Sequence, residues 1–290
     1  MSSVALRYRW VWAPRWRGKA FVAAVGALRR VLGGLPDAWR LAIKQALTVI
    51  RPMDYPARPV LLHVESWVEY DKRTRSAAKE PEMARWIEQW IQPGDVVFDI
   101  GANVGAYALA IARAKAGRTT VYAFEPSFAT FAQLSRNVAL NGAQGVVIPI
   151  HAALADRTGL ASLQYGSLES GAALHELVSS EAPARRAAVY SQPILGYRLD
   201  DFIAQFAIPQ PRHIKLDVDG IEYAILTGAA ATVANPLLRT ILVETETGRP
   251  GGGLITGLLE RAGFKLCAEY VHNQNPFHPG PFVTNCLFAR

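Results

Sequence analysis

Apolar residues in this chain fall into short runs that alternate with segments of helical spacing. Short runs rich in β-branched and aromatic residues are typical of strands buried on both faces. We predict strands at residues 96–98, 119–124, 146–150, 192–197, 213–218, 239–243, 264–271 and 285–289. We predict helices at residues 83–91, 106–114, 128–140, 199–206, 222–226 and 254–262. This alternation over residues 95–263 predicts an α/β fold with a doubly wound, mostly parallel sheet and an antiparallel C-terminal strand.

Other segments do not follow this alternation. Residues 60–68 are expected to form an edge strand, and residues 71–82 are strongly charged. Residues 157–198 are expected to contain a hairpin, a loop rich in small residues and one further strand. We expect this segment and the loop 272–284 to shape an acceptor pocket.

Three prolines between residues 52 and 59 separate an N-terminal leader, residues 1–55, from a domain that spans residues 56–290. Residues 1–51 hold ten of the 31 Lys and Arg residues but only one of the 24 acids. The rest of the chain therefore carries 21 basic and 23 acidic residues. A body so close to neutral argues against a nucleic-acid partner.

The leader combines its basic residues with tryptophans at positions 10, 12, 16 and 39. Its apolar stretch, residues 20–35, contains two arginines and is shorter than the roughly 20 apolar residues of a membrane span. No signal-peptide cleavage pattern follows it. Two interpretations remain open: the leader lies on the anionic inner face of a membrane, or its tryptophans pack against the domain.

Two cysteines, Cys267 and Cys286, are too few for a disulfide framework and lack the spacing of metal ligands. Both lie in apolar runs, so we expect buried free thiols and no metal site. Two free cysteines without a disulfide are consistent with a reducing, cytoplasmic location.

A strand, a glycine-containing turn and a helix follow one another around Asp99, Gly101, Asn103 and Gly105. Glycines let the backbone approach a ligand closely, and the helix N-terminus offers unpaired N–H groups. The carboxylate of Asp99 suits a ligand that carries an ammonium group. The pattern is similar to the first motif of S-adenosylmethionine-dependent methyltransferases, and we expect these four residues to bind that cofactor.

Two alternatives are disfavoured by the same residues. An NAD-dependent oxidoreductase requires Gly-x-Gly-x-x-Gly, whereas Asn103 stands at the middle glycine, and no Tyr-x-x-x-Lys pair follows the fourth strand. A non-catalytic module that docks on a membrane or enzyme has no need of Asp99, both glycines and Glu125 together.

Acidic residues follow nearly every predicted strand, which places them at the ligand-binding edge of a parallel sheet. Glu125 ends the second strand, where a carboxylate can accept hydrogen bonds from two ribose hydroxyls. Pro126 and Ser127 are expected to flank the adenine, and Asp156, after the third strand, is assigned to the same cofactor site.

Several motifs together resemble the FkbM family of methyltransferases over roughly residues 79–247. They are Asp99-Ile-Gly-Ala-Asn-Val-Gly105, Phe124-Glu-Pro126, Asn137 to Asn141, Leu199-Asp200-Asp201 and Lys215-Leu-Asp-Val-Asp-Gly-Ile-Glu222. Lys79-Glu80-Pro81-Glu82 also looks like a segment that precedes the domain in bacterial members. Asp219 is a departure, since the family usually has Glu there. The resemblance implies a class I, Rossmann-like methyltransferase fold, S-adenosylmethionine as cofactor, and O-methylation of a glycan or secondary metabolite.

Three residues are candidates for catalysis. Asp217 ends a central strand beside the expected methyl group, so it is the first candidate for a base or for orienting the acceptor hydroxyl. Lys215 lies on the same strand face and needs a carboxylate partner, either Asp217 or Asp99. His272, in the loop between the last strands, is a weaker candidate base. His213 begins its strand and should lie at the opposite end of the sheet.

Overall fold

The computed structural model of the chain describes residues 19–56, 58–173, 175–178, 188–246, 250–272 and 283–290. Its first elements are α1 (Lys19–Gly33), α2 (Asp37–Ala46), β1 (Ile50–Pro52), β2 (Leu61–His63), α3 (Trp67–Asp71), a 3-10 turn (Arg73–Arg75), α4 (Ser76–Lys79) and α5 (Pro81–Gln89). No helix among these described residues is long and apolar enough to cross a membrane.

The strand expected over residues 60–68 is wrong beyond His63, because Ser66 begins helix α3 with a capping box. The Ser66 hydroxyl accepts a hydrogen bond from the Glu69 N–H, and the Glu69 carboxylate accepts one from the Ser66 N–H. This reciprocal pairing satisfies donors that a helix start otherwise leaves unpaired. Residues 66–80, comprising α3, the 3-10 turn, α4 and Glu80, are called the strap below.

The domain continues with elements that match most of the predicted strands and helices. They are β3 (Val96–Ile100), α6 (Ala106–Ala114), β4 (Thr120–Phe124), α7 (Phe128–Leu140), β5 (Val147–Ile150), β6 (Ala153–Leu154), β7 (Gly159–Tyr165), β8 (Glu176–Val178), β9 (Tyr190–Tyr197), α8 (Leu199–Phe206), β10 (His213–Leu216), α9 (Glu222–Gly228), α10 (Ala230–Ala234), β11 (Thr240–Glu246), α11 (Pro250–Arg261), β12 (Lys265–His272) and β13 (Val283–Ala289).

The main sheet has seven strands in the order β12-β13-β11-β10-β3-β4-β5. Strands β3, β4, β5, β10 and β11 are parallel, whereas β13 is antiparallel to both β11 and β12. This confirms the predicted fold class. The chain builds outward from β3 through β4 and β5, and then returns to β10 on the other side of β3. Ligands bind at such a switch point, beyond the carboxyl ends of the strands.

Residues 153–197 contribute a second sheet that the sequence did not predict in this form. Its four strands have the order β6-β9-β7-β8, and β7 pairs antiparallel with both β8 and β9. The predicted hairpin is therefore part of a larger unit. The loop between β7 and β8 carries the small residues and reaches the strap. Residues 174 and 179–187, within the same predicted segment, lie outside the described residues, as do residues 273–282 of the predicted pocket loop.

The core lies on both faces of the main sheet because successive side chains of each strand point to opposite faces. Val97 and Val121 pack with the helices α5 to α7, whereas Phe98 and Phe124 pack with α8 and α9 on the other face. Cys286 is buried as expected. The expectation for Cys267 is wrong: this thiol is exposed, because it lies at a register shift on the edge strand β12.

His213 lies at the amino end of the sheet, as predicted. Its Nε2 is 3.1 Å from Asp95 Oδ2, and its Nδ1 is 2.7 Å from Thr240 Oγ1. Trp86 Nε1 donates a second hydrogen bond to the same hydroxyl, at 2.9 Å. This buried network joins α5 to the ends of β10 and β11 and leaves the opposite end of the sheet to the site.

Candidate active site

The turn from Gly101 to Gly105 lies at the carboxyl end of β3, and its shape depends on backbone conformations that favour glycine and asparagine. Gly101, Asn103 and Gly105 have φ values of 78°, 51° and 84°. The N–H groups of Gly101 and Ala102 both donate to the Phe124 carbonyl, at 3.0 Å. Left-handed φ is accessible to glycine without cost and to asparagine at small cost. The turn is therefore held against the end of β4.

Gly101 has no space for a side chain. A Cβ atom there would overlap the carbonyl oxygen of Asp217 and would lie 3.0 Å from Val218 Cγ1. Close contact with the neighbouring strand β10, rather than with a ligand, therefore requires glycine at this position. Gly105 is similarly crowded by the Leu134 side chain of α7.

Glu125 is held by the backbone on both carboxylate oxygens. Its Oε2 accepts a hydrogen bond from the Asn103 N–H at 2.9 Å, and its Oε1 accepts one from the Ser127 N–H at 2.8 Å. Burial raises the pKa of Glu125 to about 7, although both N–H groups and the charges of Arg73 and Lys215 act to lower it. Each oxygen retains a lone pair, so the rigid carboxylate can accept two further hydrogen bonds.

Lys215 lies between two carboxylates in the parallel pair of strands β3 and β10. Its Nζ is 3.1 Å from Asp99 Oδ1 and 3.4 Å from Asp217 Oδ2. It also donates a hydrogen bond to the Gly101 carbonyl at 3.2 Å. The predicted pairing of Lys215 with a carboxylate is therefore confirmed, with both candidates rather than one.

The proximity of these residues determines the charge states of Lys215 and Asp217. Burial alone would lower the pKa of Lys215, but Asp99 and Asp217 raise it well above its usual range. Burial alone would raise the pKa of Asp217, but Lys215, Lys79 and Arg73 together lower it. Lys215 is therefore an ammonium and Asp217 a carboxylate at neutral pH.

Asp99 does not face the cavity, which changes the role expected for it. The residue is fully buried, with 0 % exposure, while Asp217 retains 35 % exposure of its side chain. Neither oxygen of Asp99 accepts a well-directed hydrogen bond among the described residues, and Lys215 is its ion-pair partner. The geometry thus indicates that Asp99 holds Lys215 in place, and the expected contact of Asp99 with a ligand ammonium group is not supported.

The strap covers one side of the turn. The cavity between them is lined by the backbone of residues 101–104, by Tyr107, Lys215 and Asp217, and by strap residues that include Arg73, Lys79 and Glu80. Arg73 Nε and Nη2 donate to the Gly171 carbonyl at 3.1 and 2.8 Å. The Asn103 side chain donates to the neighbouring Ala172 carbonyl at 3.0 Å. The loop after β7 is thereby tied both to the strap and to the turn.

Glu244, at the end of β11, adds an unusual carboxyl group to the same edge. Burial and the negative charges of Asp217, Asp219 and Glu80 raise the pKa of Glu244 to about 9. The group is consequently neutral at pH 7. It was one member of the predicted acidic rim but was not assigned a role.

His272 lies apart from this cavity. Its Nε2 is 2.5 Å from Glu82 Oε1, and Asn285 Nδ2 donates to the same oxygen at 2.8 Å. Neither His272 nor Glu82 lines the cavity of the turn. Since the imidazole is engaged by a buried carboxylate, the geometry does not support its assignment as a base.

The remaining predicted cofactor residues differ in position. Ser127 is buried, and its N–H donates to the Glu125 carboxylate, whereas the carbonyl oxygen of Pro126 lies 3.0 Å from His151 Nε2. Asp156 is exposed, and its Cα lies against Gly228 at the end of α9. Asp156 follows β6 of the second sheet and not β5 of the main sheet. The expectation that it lies near the adenine assumed that it directly follows the third strand, so that reason no longer applies.

Sequence reasoning did not assign Arg73, Tyr107 or Glu80 to the site, because each reaches it through contacts with distant parts of the chain. The only signal available was the Lys79-Glu80-Pro81-Glu82 segment. Among the described residues, no group of three or more His, Cys, Asp or Glu side chains is arranged as a metal site.

A family model and two relatives identify one family. Residues 99–266 match the family described as Methyltransferase FkbM domain. The chain is 30% identical over 195 residues to the hexuronic acid methyltransferase AglP of Haloferax volcanii, covering 67% of this chain and 72% of that protein. It is 30% identical over 212 residues to the 31-O-demethyl-FK506 methyltransferase FkbM of Streptomyces tacrolimicus, covering 66% and 78%. A crystal structure of methyltransferase FkbM from Methylobacillus flagellatus covers 69% of this chain and 44% of its own, with 14% identity and a TM-score of 0.48.

Proposed function

Because the chain belongs to the FkbM methyltransferase family and uses S-adenosylmethionine as its methyl donor, we propose that it methylates a hydroxyl oxygen of a glycan or another small molecule. The observation that carries the proposal is the joint placement of the glycine turn, the backbone-held Glu125 and the charged pair of Lys215 and Asp217 at one edge of the sheet. These are the parts needed to bind the donor and to orient an acceptor.

The residues present fit this cofactor. Glu125 has spare acceptor capacity for ribose hydroxyls, and Pro126 and Ser127 continue from it toward the position proposed for the adenine. Gly101 and Gly105 allow the close packing that shapes the turn, and Gly101 and Asn103 line the cavity. S-adenosylmethionine supplies a methyl group on a sulfonium. The cavity is lined by four basic side chains, those of Lys72, Arg73, Lys79 and Lys215, and by the carboxylates of Glu80 and Asp217, so it offers partners for both charged groups of the amino-acid portion.

Asp217 acts on the acceptor in this proposal. Methyl transfer is an in-line displacement, so the acceptor oxygen must be aligned and must lose its proton. Asp217 is the ionised carboxylate that lines the cavity, and it can accept a hydrogen bond from the acceptor hydroxyl. Its lowered pKa makes it a weak base, so we assign it mainly the orientation of that hydroxyl. Lys215, held protonated by Asp99, fixes the position of Asp217.

The relatives support the acceptor class. Two of them are named for methylating a hexuronic acid and an oxygen of a demethylated FK506. A hydroxyl on a sugar or on a secondary metabolite is therefore the acceptor we propose. The second sheet and its loop after β7, which contacts the strap, are proposed to shape the acceptor pocket.

A transfer assay tests the function. The full chain is incubated with S-adenosylmethionine that carries a deuterated methyl group and with glycan and polyketide acceptors, and products are analysed by mass spectrometry. We expect a labelled methyl ether on one class of acceptor. Hydride transfer from a nicotinamide cofactor without methyl transfer would instead favour an oxidoreductase.

We also propose that the leader contacts an anionic membrane surface. Val31 in α1, Trp39 in α2 and Leu47 directly after α2 are exposed, the last two at 65% and 67%, and the basic residues Arg30 and Lys44 lie nearby in the chain. Apolar and basic residues side by side on surface helices are typical of interfacial binding. The exposure of Trp39 favours the membrane contact over packing of this tryptophan against the domain; the tryptophans at positions 10, 12 and 16 lie outside the described residues.

Vesicle sedimentation of the full chain tests this contact. Trp39→Asp combined with Val31→Asp should lower binding to vesicles containing phosphatidylserine, whereas Leu160→Asp should not. Leu160 is a matched control because it is 80% exposed on the second sheet, outside the leader. Equal binding by both variants and the wild type would rule out the membrane contact.

A further inference from the structure

We propose that Glu80 of the strap, and not Asp99 of the glycine turn, provides the carboxylate that binds the ammonium group of S-adenosylmethionine. The inference deepens the proposed function and rests on it. It concerns a residue that precedes the matched family region of residues 99–266. The site therefore includes a part of the chain that lies outside the glycine turn and outside the matched region of residues 99–266.

Glu80 is buried at 5% exposure and lines the cavity together with the backbone of Gly101 and Ala102. Its Oε2 accepts a hydrogen bond from Tyr107 Oη at 2.6 Å, and its Oε1 lies 2.6 Å from Lys79 Nζ. Tyr107 belongs to the first turn of α6, directly after the glycine turn. Tyr107 and Lys79 thus fix the carboxylate beside the glycine turn.

The other carboxylates near the turn already have a partner or a proposed role. Asp99 is fully buried, pairs with Lys215 and does not line the cavity. Asp217 shares the same lysine and is assigned to the acceptor hydroxyl. Glu80 is the remaining cavity-lining carboxylate, and it makes no contact with Lys215 in the hydrogen bonds and ion pairs of the described residues.

The partners of Glu80 leave it available to a ligand cation. Tyr107 donates from a phenol that burial and the charge of Glu80 keep protonated by raising its pKa. The Lys79 side chain is 41% exposed whereas the Glu80 side chain is 7% exposed, so the lysine ammonium can withdraw into solvent while the carboxylate stays in the cavity. An ammonium group can therefore replace or join Lys79 at Oε1 while Tyr107 continues to hold Oε2.

Two ligands that differ in the amino-acid portion isolate this contact. S-adenosylhomocysteine carries the ammonium group, whereas 5′-methylthioadenosine keeps the adenosine and lacks that portion. By calorimetry on the full chain, Glu80→Gln should weaken S-adenosylhomocysteine about 10- to 100-fold, as expected for the loss of a hydrogen bond to a charged group. The affinity for 5′-methylthioadenosine should not change, and this readout does not depend on catalysis.

Glu82→Gln is the matched control, because Glu82 is an equally buried carboxylate two residues away that binds His272 and Asn285 instead. It should leave the ratio of the two affinities unchanged. Tyr107→Phe, which keeps Glu80 but removes its fixed donor, should weaken S-adenosylhomocysteine to a smaller extent and serves as the test if Glu80→Gln does not fold.

The proposal is overturned if Glu80→Gln weakens both ligands equally, which indicates a structural role, or if it weakens neither. It is also overturned if Asp99→Asn in a folded protein reproduces the selective loss and Glu80→Gln does not. A wild-type protein that binds neither ligand would contradict the proposed function itself, so the two failures are distinguishable.

Discussion

The carbonyl oxygen of Asp217 occupies the space that a side chain on Gly101 would need. The residue expected to make room for the cofactor is therefore first required for the contact between β3 and β10. The same contact sets the distance between the turn and the acceptor residue, because Asp217 contributes both the backbone that touches Gly101 and the carboxylate that lines the cavity.

Gly101→Val should consequently destabilise the folded protein as well as abolish cofactor binding. Overlap with backbone cannot be relieved by a rotamer change, and the left-handed φ of 78° disfavours a β-branched residue. We expect a large loss of melting temperature by circular dichroism, together with loss of cofactor binding. The control is Gly94→Val, at a positive φ with no neighbour near the added atom. A Gly101→Val protein with the melting temperature of that control would contradict the account.

Lys215→Met should destabilise the protein by about 3–5 kcal/mol, as does the removal of one partner from a buried ion pair. The loss leaves Asp99 fully buried without a cation. The double variant Lys215→Met with Asp99→Asn should recover part of the stability, because no buried charge remains uncompensated. Chemical denaturation of the three proteins measures the coupling, and strict additivity would show that the pair is not coupled.

Asp217→Asn should lower the rate of methyl transfer about 10²-fold, because the acceptor hydroxyl loses the carboxylate that aligns it. Stability should change little, since Lys215 retains Asp99 as a partner. Asp219→Asn is the control, because this neighbour has φ 59°, which asparagine tolerates well. The measurement is a single-turnover rate on samples of known melting temperature. A normal rate in Asp217→Asn would exclude its role with the acceptor.

Glu244 predicts a pH dependence of stability. Its pKa is raised to about 9 in the folded protein, so the folded state retains a proton that the unfolded state has lost. Stability from this group is fully present below the unfolded pKa and falls by about 1.4 kcal/mol per pH unit until the pH reaches about 9. Denaturation of the wild type should therefore show a steeper loss with rising pH than denaturation of Glu244→Gln. Parallel curves for the two proteins would contradict the assignment.

The sequence predicted the features that depend on neighbouring residues. Strand periodicity, the glycine turn and the carboxylate that follows β4 are local, and all of them are present in the structure. The helix over residues 199–206 was predicted with its observed ends. The division into a leader and a domain stays a prediction, and the bounds of the two helices α1 and α2 were not predicted.

What the sequence could not predict depends on contacts between distant segments. Asp99 is 116 positions from Lys215 in the chain, and spacing alone could not decide whether Asp99 or Asp217 is the partner of Lys215. The strap reaches the turn through Tyr107 and the loop after β7 through Arg73. The second sheet forms because β7 pairs on both sides, which no pattern within residues 157–198 shows.

Titration of S-adenosylmethionine into the full chain and into Glu125→Gln, by calorimetry at pH 8, tests the central claim most directly. At this pH Glu125, with a pKa of about 7, is mostly ionised and has both oxygens available to the ribose. We predict one binding site in the wild type and an affinity about 10- to 100-fold lower in the variant, the cost of losing a charged hydrogen-bond acceptor. Lowering the pH from 8 to 6 should weaken the wild type and have little effect on the variant. A wild type that does not bind, or a variant that binds equally well at pH 8, would contradict the account.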